Sequence, residues 1–460
     1  MVKLQLILPN QEERFEQILS DGWWMPLGLF YLATYVKKNE PSTEIEILDG
    51  VLTNQKTIED KIGADIVGIS PTIISYPIAL RYAKLAKKRN PNSKVLFGGH
   101  YVTSISELIL KKRPEVDYTV NFDGEHTLLE VVKGTNPNDI PNLVFRERGR
   151  VISNSIIFPE LDNIPFPDFE LIGVDVKPYF KMYKQNYPDS EFYNPITINT
   201  QRGCAFRAGW KKSKKPRGCL FCARTQPNWR SYSPQKVWDY LQEFEKSHNL
   251  GLIAETSDDF LSSLKWFREF HSLKPSKFNI PFRMYIRPDK ITKETAKMLK
   301  ELNCSLALLG YETGDDKMMK ICGKGFTTER SIEASKLLHQ HGICETPAYL
   351  LGLPGESHIT IQRTIEHARK VTSNGAETIF FSLFTPLPGA RAWDMMMQVP
   401  EFRAKYGDTD KLDPIEMQKD WINYFCNVTF DEILSYVPEI TKLAPYAAVD
   451  YWPKKSKRTI

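Results

Sequence analysis

The sequence predicts an α/β protein with two successive strand–helix alternations. The first is a doubly wound parallel sheet in residues 1–133. The second is a set of six βα units in residues 191–395, followed by a mainly helical cap in 396–460. Three observations predict this. Short apolar runs alternate with helical periodicity in both stretches, the pattern of a parallel sheet covered by helices. A proline-rich interval of weak periodicity, residues 134–190, separates them as a connector. The last segment is aromatic-rich, with Trp421, Tyr424, Phe425, Tyr446, Tyr451 and Trp452, as a packed cap and tail would be.

In the first stretch Leu4–Leu8, Ile45–Leu48, Ile66–Ile69, Val95–Phe97 and Tyr118–Val120 read as strands. Leu27–Lys38, Lys56–Ile62, Ile78–Arg89, Ile105–Lys112 and His126–Val132 read as helices. Such sheets take ligands at the carboxyl ends of their strands, where small residues admit them. Ser70, Gly98, Gly99 and Gly124 stand there and are the candidate ligand contacts. No G-x-G-x-x-G is present, which argues against a dinucleotide. In the connector, Leu143–Arg146 and Val151–Ser153 suit a small hairpin around Gly149, and Pro165-Phe166-Pro167 an extended link.

The strands of the second stretch are Ile196–Asn199, Leu252–Ala254, Phe282–Ile286, Leu306–Leu309, Thr346–Leu351 and Thr378–Leu383. Helices fall at Val237–Lys246, Leu264–Phe270, Lys293–Leu302, Glu329–His339 and Ile361–Val371.

The 460 residues hold 61 Lys and Arg against 56 Asp and Glu, a net +5 that creates no global field for nucleic acid. Apolar residues at 42% and charged residues at 25% are those of a soluble globular chain. No apolar run approaches the roughly 20 residues of a membrane span. The start, broken at Pro9, is too short for a signal peptide. The expected location is the reducing cytoplasm, and seven cysteines, an odd number, agree with it. Cys204, Cys219 and Cys222 are clustered, whereas Cys304, Cys322, Cys344 and Cys426 are scattered without ligand spacing.

Clustered thiolates suit iron–sulfur clusters or zinc. Structural zinc is usually closed by four ligands. Here one C-x2-C knuckle, Cys219-Leu220-Phe221-Cys222, joins Cys204 with no fourth Cys or His nearby in sequence. Fourteen residues separate Cys204 from Cys219, and the six charged ones among them, Arg207, Lys211, Lys212, Lys214, Lys215 and Arg217, are all basic. That loop reads as a solvated surface or as a contact for an anionic substrate or partner; it is thin support for nucleic-acid recognition.

Cys204, Cys219 and Cys222, with Phe221 before the last cysteine, resemble the cluster motif of the radical S-adenosylmethionine (SAM) superfamily. The usual spacing there is C-x3-C-x2-C. Here Ala208 stands at the usual second cysteine, and eleven residues are inserted. Closure entropy grows only logarithmically with loop length, on the order of 1 kcal/mol for a few-fold extension, so ligation by all three cysteines remains possible.

The segments Glu255–Phe260, Ile286-Arg287-Pro288-Asp289, Gly310-Tyr311-Glu312-Thr313-Gly314, Gly323-Lys324-Gly325, Leu351–Glu356 and Thr385–Ala390 follow the family's order. The resemblance implies an incomplete (β/α)6 TIM-type barrel, with Cys204, Cys219 and Cys222 holding a [4Fe–4S] cluster. The open iron would hold the amino and carboxylate groups of SAM. SAM contacts are expected from Glu312, Arg287, Asp259 and Gly352.

The first stretch resembles the cobalamin-binding domain fused to many such enzymes. The matching pieces are Met25–Leu29, Asp65–Ser70, Phe97–His100 and Asp123-Gly124-Glu125. It departs at Asp49-Gly50-Val51-Leu52-Thr53-Asn54, which lacks the histidine and final glycine of D-x-H-x-x-G. Cobalamin, if bound, would have no lower ligand from that motif. A degenerate domain that packs or holds substrate is the other reading.

Together the resemblances imply reductive cleavage of SAM and radical chemistry, with methyl transfer to an unactivated carbon or phosphorus as the leading reaction. Rearrangement, cyclisation or oxidation, and aminocarboxypropyl transfer, are the alternatives, with a cobalamin or Fe–S carrier as the non-enzymatic one. A small-molecule or peptide substrate and an electron donor such as flavodoxin or ferredoxin are the expected partners.

Overall fold

The structure is a computed structural model that describes residues 1–13, 15, 24–206, 218–223, 226 and 228–450. The chain divides into two compact units. One comprises Met1–Asn186, Ala223–Thr225 and Met397–Asp413; the other comprises Tyr187–Cys222, Gln226–Met396 and Pro414–Ile460.

The first unit runs β1 (Lys3–Leu8), α1 (Leu27–Asn39), β2 (Glu44–Asp49), α2 (Gln55–Lys61), β3 (Ile66–Ile69), α3 (Tyr76–Arg89), β4 (Lys94–Phe97), α4 (His100–Lys112), β5 (Tyr118–Val120) and α5 (Glu125–Lys133). β6 (Leu143–Glu147), β7 (Arg150–Ser153) and α6 (Lys177–Asn186) follow. Sheet order is β2-β1-β3-β4-β5-β6-β7, parallel from β2 to β5 and antiparallel at β6 and β7. The expected hairpin in the connector is therefore an edge of this sheet. Its core is built from Ile7, Val67, Ile69, Val95 and Phe97 on the strands against Tyr82, Ala83, Val102 and Ile109 on the helices. Local signals set the helix ends. Asn54 caps α2 by accepting from Thr57 N at 2.9 Å, and Gly134 takes the left-handed turn (φ 76°) that ends α5.

The second unit runs β8 (Pro195–Ile198), β9 (Gln201–Arg202), β10 (Arg230–Ser231), α7 (Pro234–His248), β11 (Leu252–Glu255), α8 (Leu264–Ser272), β12 (Phe282–Ile286) and α9 (Lys293–Glu301). It continues with β13 (Cys304–Glu312), α10 (Asp316–Cys322), α11 (Thr328–Gln340), β14 (Cys344–Leu351), α12 (His358–Ser373), β15 (Thr378–Leu383) and α13 (Arg391–Met396). α14 (Pro400–Tyr406) lies in the segment assigned to the first unit. α15 (Pro414–Phe425), α16 (Phe430–Leu434), α17 (Val437–Ile440) and β16 (Tyr446–Asp450) return to the second.

Its sheet is parallel in the order β16-β15-β14-β13-β12-β11-β8. The six expected strands are all present, and β16 adds a seventh within the segment read as a cap. One face of this sheet packs on helices, where Trp238 of α7 stacks on Phe270 of α8 and meets Phe282 of β12 edge-on. On the other face Leu306, Leu308, Gly310, Ala348 and Leu350 are only partly buried, and Tyr285 is exposed. The barrel's inner face is thus left open, unlike the filled interior of a closed eight-stranded barrel. Among the described residues no helix is long and apolar enough to cross a membrane.

Candidate functional site

The carboxyl ends of β8, β11, β12 and β13 bring the second unit's chemistry together. Arg287 follows β12 and is buried. Its backbone N–H donates to Asp259 Oδ1 (3.2 Å), and its Nη2 donates to the Lys324 carbonyl (2.7 Å). Its Nε faces Asp289 Oδ1 at 3.0 Å, and the guanidinium lies 4.0 Å from the Phe206 ring centroid.

Asp259 is 1% exposed. Besides the Arg287 amide, its carboxylate accepts from Leu261 N (3.3 Å) and Ser262 Oγ (3.1 Å). Burial pushes its pKa up against the opposing pull of Arg287. The acid expected to meet SAM thus shapes the turn that presents Arg287. Glu255, which ends β11, accepts from Thr200 N (3.1 Å) and Thr200 Oγ1 (2.8 Å), and burial raises its pKa to about 7.

Glu312 ends β13 at φ 65°, where the register against β14 shifts between Gly310 and Glu312. A left-handed conformation is costly for an acid with a Cβ and persists only where the surroundings hold it, and such an irregularity re-aims a side chain. Glu312 Oε1 lies 2.8 Å from Lys324 Nζ, both side chains being 8% exposed. Burial opposes charge on Lys324, but Glu312 and Cys219 together outweigh it and hold the ammonium protonated.

Gly310 lies beneath this pair. A Cβ there would stand 2.9 Å from Lys324 Nζ and closer still to Glu312 Oε1. Both tips are flexible, so Gly310→Ala is expected to displace the pair without unfolding the unit. Its melting temperature should change little while its affinity for SAM falls, as read by calorimetric titration. Unchanged affinity would refute this.

Gly352 follows β14 at φ 97°. Its N–H donates to Glu356 Oε2 (3.4 Å), its carbonyl accepts from Trp421 Nε1 (2.9 Å), and a Cβ would meet Ile422 Cγ1 at 2.9 Å. The sequence reading offered its backbone to SAM. In the structure α15 packs on it, which requires a glycine.

Cys204 follows β9, and Cys219–Cys222 form a turn closed by Cys222 N to the Cys219 carbonyl (3.3 Å). Leu220 anchors that turn, donating to the Cys322 carbonyl (2.8 Å) and accepting from Ala392 N (3.1 Å). All three thiols are unbridged. Burial pushes Cys204 up to about 11, with Asp259 adding to the rise. Burial also raises Cys219, while Lys324 and Arg287 pull it down. Cys219 acts electrostatically on Cys204, and Cys222 on Cys219, so the three share one neighbourhood.

Among the described residues no group of three or more His, Cys, Asp or Glu is placed to hold one metal ion. The basic stretch Arg207–Arg217 lies outside the described residues.

In the first unit, sheet order reverses between β1 and β3, the switch point where doubly wound sheets bind ligands. Ser70 follows β3 there. Gly99, at φ 95°, comes so close that a Cβ would sit 2.9 Å from Ser70 Oγ. Gly98 and Gly124 both lie over Val120, the last residue of β5. The four expected residues therefore share one strand-end rim. Asn121 adds a buried side-chain oxygen, Oδ1, with no hydrogen-bond partner.

Asp49 is buried and accepts from Tyr179 OH (2.6 Å) and Val51 N (2.9 Å). Its pKa is raised by burial. Val51 stands where the cobalamin motif has histidine, and the carboxylate's partner is a tyrosine of α6.

Sequence reasoning missed Lys324, Asn121 and Tyr179 as site residues. Only Lys324 carried a signal, its place between Gly323 and Gly325.

Comparison with known proteins identifies both parts. Residues 198–368 match the model of the radical SAM superfamily, and residues 19–132 match the B12 binding domain. An uncharacterized methyltransferase of Pyrococcus horikoshii is 28% identical over 86% of this chain and 83% of its own. The anaerobic magnesium-protoporphyrin IX monomethyl ester cyclase of Rubrivivax gelatinosus is 24% identical over 84% and 68%. The bacteriochlorophyllide d C-12(1)-methyltransferase of Chlorobaculum tepidum is 23% identical over 89% and 81%.

The radical S-adenosylmethionine methyltransferase TsrM from Kitasatospora setae, solved with cobalamin and a [4Fe–4S] cluster, shares the fold. Its TM-score is 0.65 at 16% identity, over 86% of this chain and 78% of that one. The cobalamin-dependent SAM radical enzyme OxsB gives 0.68 at 16%, over 91% and 64%. The radical SAM domain implies a [4Fe–4S] cluster and SAM, and the B12-binding domain implies cobalamin. With both in one polypeptide, the chain is an enzyme that carries a radical SAM domain behind an N-terminal B12-binding domain.

Proposed function

We propose that the chain is a cobalamin-dependent methyltransferase acting on an unactivated carbon or phosphorus of a small molecule or peptide. Cys204, Cys219 and Cys222 hold the cluster in this reading, and flavodoxin or ferredoxin reduces it in the cytoplasm. The residues fit the implied groups. Three unbridged thiols share a neighbourhood with two buried cations, and the rim of Ser70, Gly98, Gly99 and Gly124 leaves space that side chains would fill.

When bound, the cluster supplies the electron that breaks a carbon–sulfur bond of SAM, and cobalamin supplies the methyl carrier. Glu312 accepts hydrogen bonds from the ammonium or ribose hydroxyls of SAM, and Arg287 pairs with its carboxylate. Asp259 holds the Arg287 backbone in place, and Asn121 Oδ1 accepts from the cobalamin. The observation that carries the reading is the buried Glu312 at φ 65°, paired with Lys324 beside the cysteine turn.

Methyl transfer draws support from the relatives named as methyltransferases. The relative named as a cyclase favours a second reading, radical oxidation or cyclisation without methyl transfer. Anaerobic reconstitution with SAM, cobalamin and a strong reductant separates the reactions. The expected products are 5′-deoxyadenosine together with S-adenosylhomocysteine. 5′-Deoxyadenosine alone supports oxidation, cyclisation or rearrangement, and methylthioadenosine supports aminocarboxypropyl transfer. No SAM cleavage refutes all of them.

A further inference from the structure

A lysine buried as deeply as Lys324 (6% exposed) is stable in place only if its charge is answered. Its ammonium is answered by Glu312 Oε1 at 2.8 Å and faces the Phe221 and Phe326 ring centroids at 5.8 and 6.0 Å. Phe221 lies between Cys219 and Cys222 in the cysteine turn. The Lys324 carbonyl accepts from Arg287 Nη2 at 2.7 Å.

Two glycines in left-handed conformations, Gly323 (φ 78°) and Gly325 (φ 80°), bracket it. The first ends α10; at the second, a Cβ would lie 3.1 Å from the Phe206 ring beneath Arg287. One residue thus meets the acid with its side chain, the arginine with its main chain and the cysteine turn with its charge. A purely structural ion pair of this kind can be replaced by apolar groups with little loss of stability, so burial alone does not explain it.

We propose that Lys324 is a positioning residue of the SAM and cluster site. It fixes the Glu312 carboxylate for SAM and lends the cysteine turn a positive charge that favours the reduced cluster. The proposal rests on the assignment of Cys204, Cys219 and Cys222 to the cluster and of Glu312 to SAM.

The test uses the full chain, reconstituted anaerobically as wild type, Lys324→Gln and Lys324→Arg. Two readouts are taken: the midpoint potential from an EPR-monitored redox titration, and the SAM concentration that half-converts the EPR signal of the reduced cluster. Lys324→Gln is expected to hold the same iron per chain with a more negative midpoint. Its half-converting SAM concentration should rise about tenfold or more, the scale of one lost charged hydrogen bond. Lys324→Arg, which keeps the charge, should restore the midpoint.

A midpoint and a SAM response in Lys324→Gln equal to those of the wild type overturn the proposal. If Lys324→Gln takes up no iron, the comparison passes to Lys324→Arg, and a shifted midpoint in that charge-retaining variant overturns it. A wild type that holds a cluster but shows no response to SAM overturns the underlying assignment of Glu312, and the proposal with it.

Discussion

Replacing Cys219 with Ala is expected to leave the reconstituted protein without its cluster. Iron and sulfide per chain should fall to background, and the low-temperature EPR signal of the reduced cluster should vanish. Cys219 stands in the most constrained part of the proposed ligand set. The turn it opens is anchored from two sides, by the Cys322 carbonyl at the end of α10 and by Ala392 N at the start of α13. Lys324 and Arg287 both favour its thiolate, the form that binds iron. Cys204 reaches the same neighbourhood from another segment, so two remaining thiolates would have to hold the cluster from separate loops. Cys322 is buried and feels the charge of Cys219, and Cys322→Ala tests whether it can substitute; full iron is expected in that variant. Cys344→Ala, at an exposed position, is the second control and should also retain full iron. Unchanged iron in Cys219→Ala would remove that residue from the ligand set.

The chemistry that was legible in the sequence depended on local spacing. Cys219 and Cys222 stand out because a C-x2-C turn is a local motif, and the strands because apolar runs end at Gly, Ser or Pro. Lys324 was visible only as the centre of Gly-Lys-Gly. Its pairing with Glu312 depends on a register irregularity at Gly310 that no spacing predicts. Asp259 could be read as a ligand-facing acid because its segment fits one. What the segment did not show is that its carboxylate accepts from Arg287 N, twenty-eight residues away, and from Leu261 and Ser262 nearby.

β16 escaped notice for another reason. Tyr446–Asp450 is short, with neither clean alternation nor a long apolar run, and becomes a strand by pairing with β15 from Thr378↔Tyr446 to Ser382↔Asp450. α6 was hidden among prolines because Pro178, in its first turn, is compatible with a helix where an interior proline would not be.

The partnership least legible in sequence spans 297 residues within the first unit, and its loss should be strongly destabilising. Asp410 receives Arg113 in a bidentate pair, Nε to Oδ2 at 2.6 Å and Nη2 to Oδ1 at 2.7 Å. Tyr76 OH donates to Oδ2 at 2.6 Å, and Tyr101 OH donates to the Asp410 carbonyl at 3.0 Å. Asp410 is 2% exposed, while Tyr76 meets both Phe97 and Tyr101 edge-on. The Met397–Asp413 segment is thus fastened to α3 and α4. Asp410→Ala strands the Arg113 charge and the Tyr76 hydroxyl together, at a cost of about 3 kcal/mol. Tyr76→Phe removes one hydrogen bond and should cost about 1 kcal/mol.

Global melting of a two-unit chain is a poor measure of either. Amide exchange in α4 and in 397–413 is the direct one, and both should exchange faster in Asp410→Ala. The dependence on pH has a definite sign. Hydrogen bonds from Arg113 and Tyr76 hold the Asp410 carboxyl below the usual carboxylate range, although burial opposes them. Its contribution is therefore complete above the unfolded carboxyl pKa of about 3.9, and is lost as pH falls through the lower folded value. The protection that separates wild type from Asp410→Asn should be constant near neutrality and disappear only in strong acid. Equal exchange in the two proteins at neutral pH would mean that the segment is held by its apolar contacts, such as Phe402 and Leu412, and not by this carboxylate.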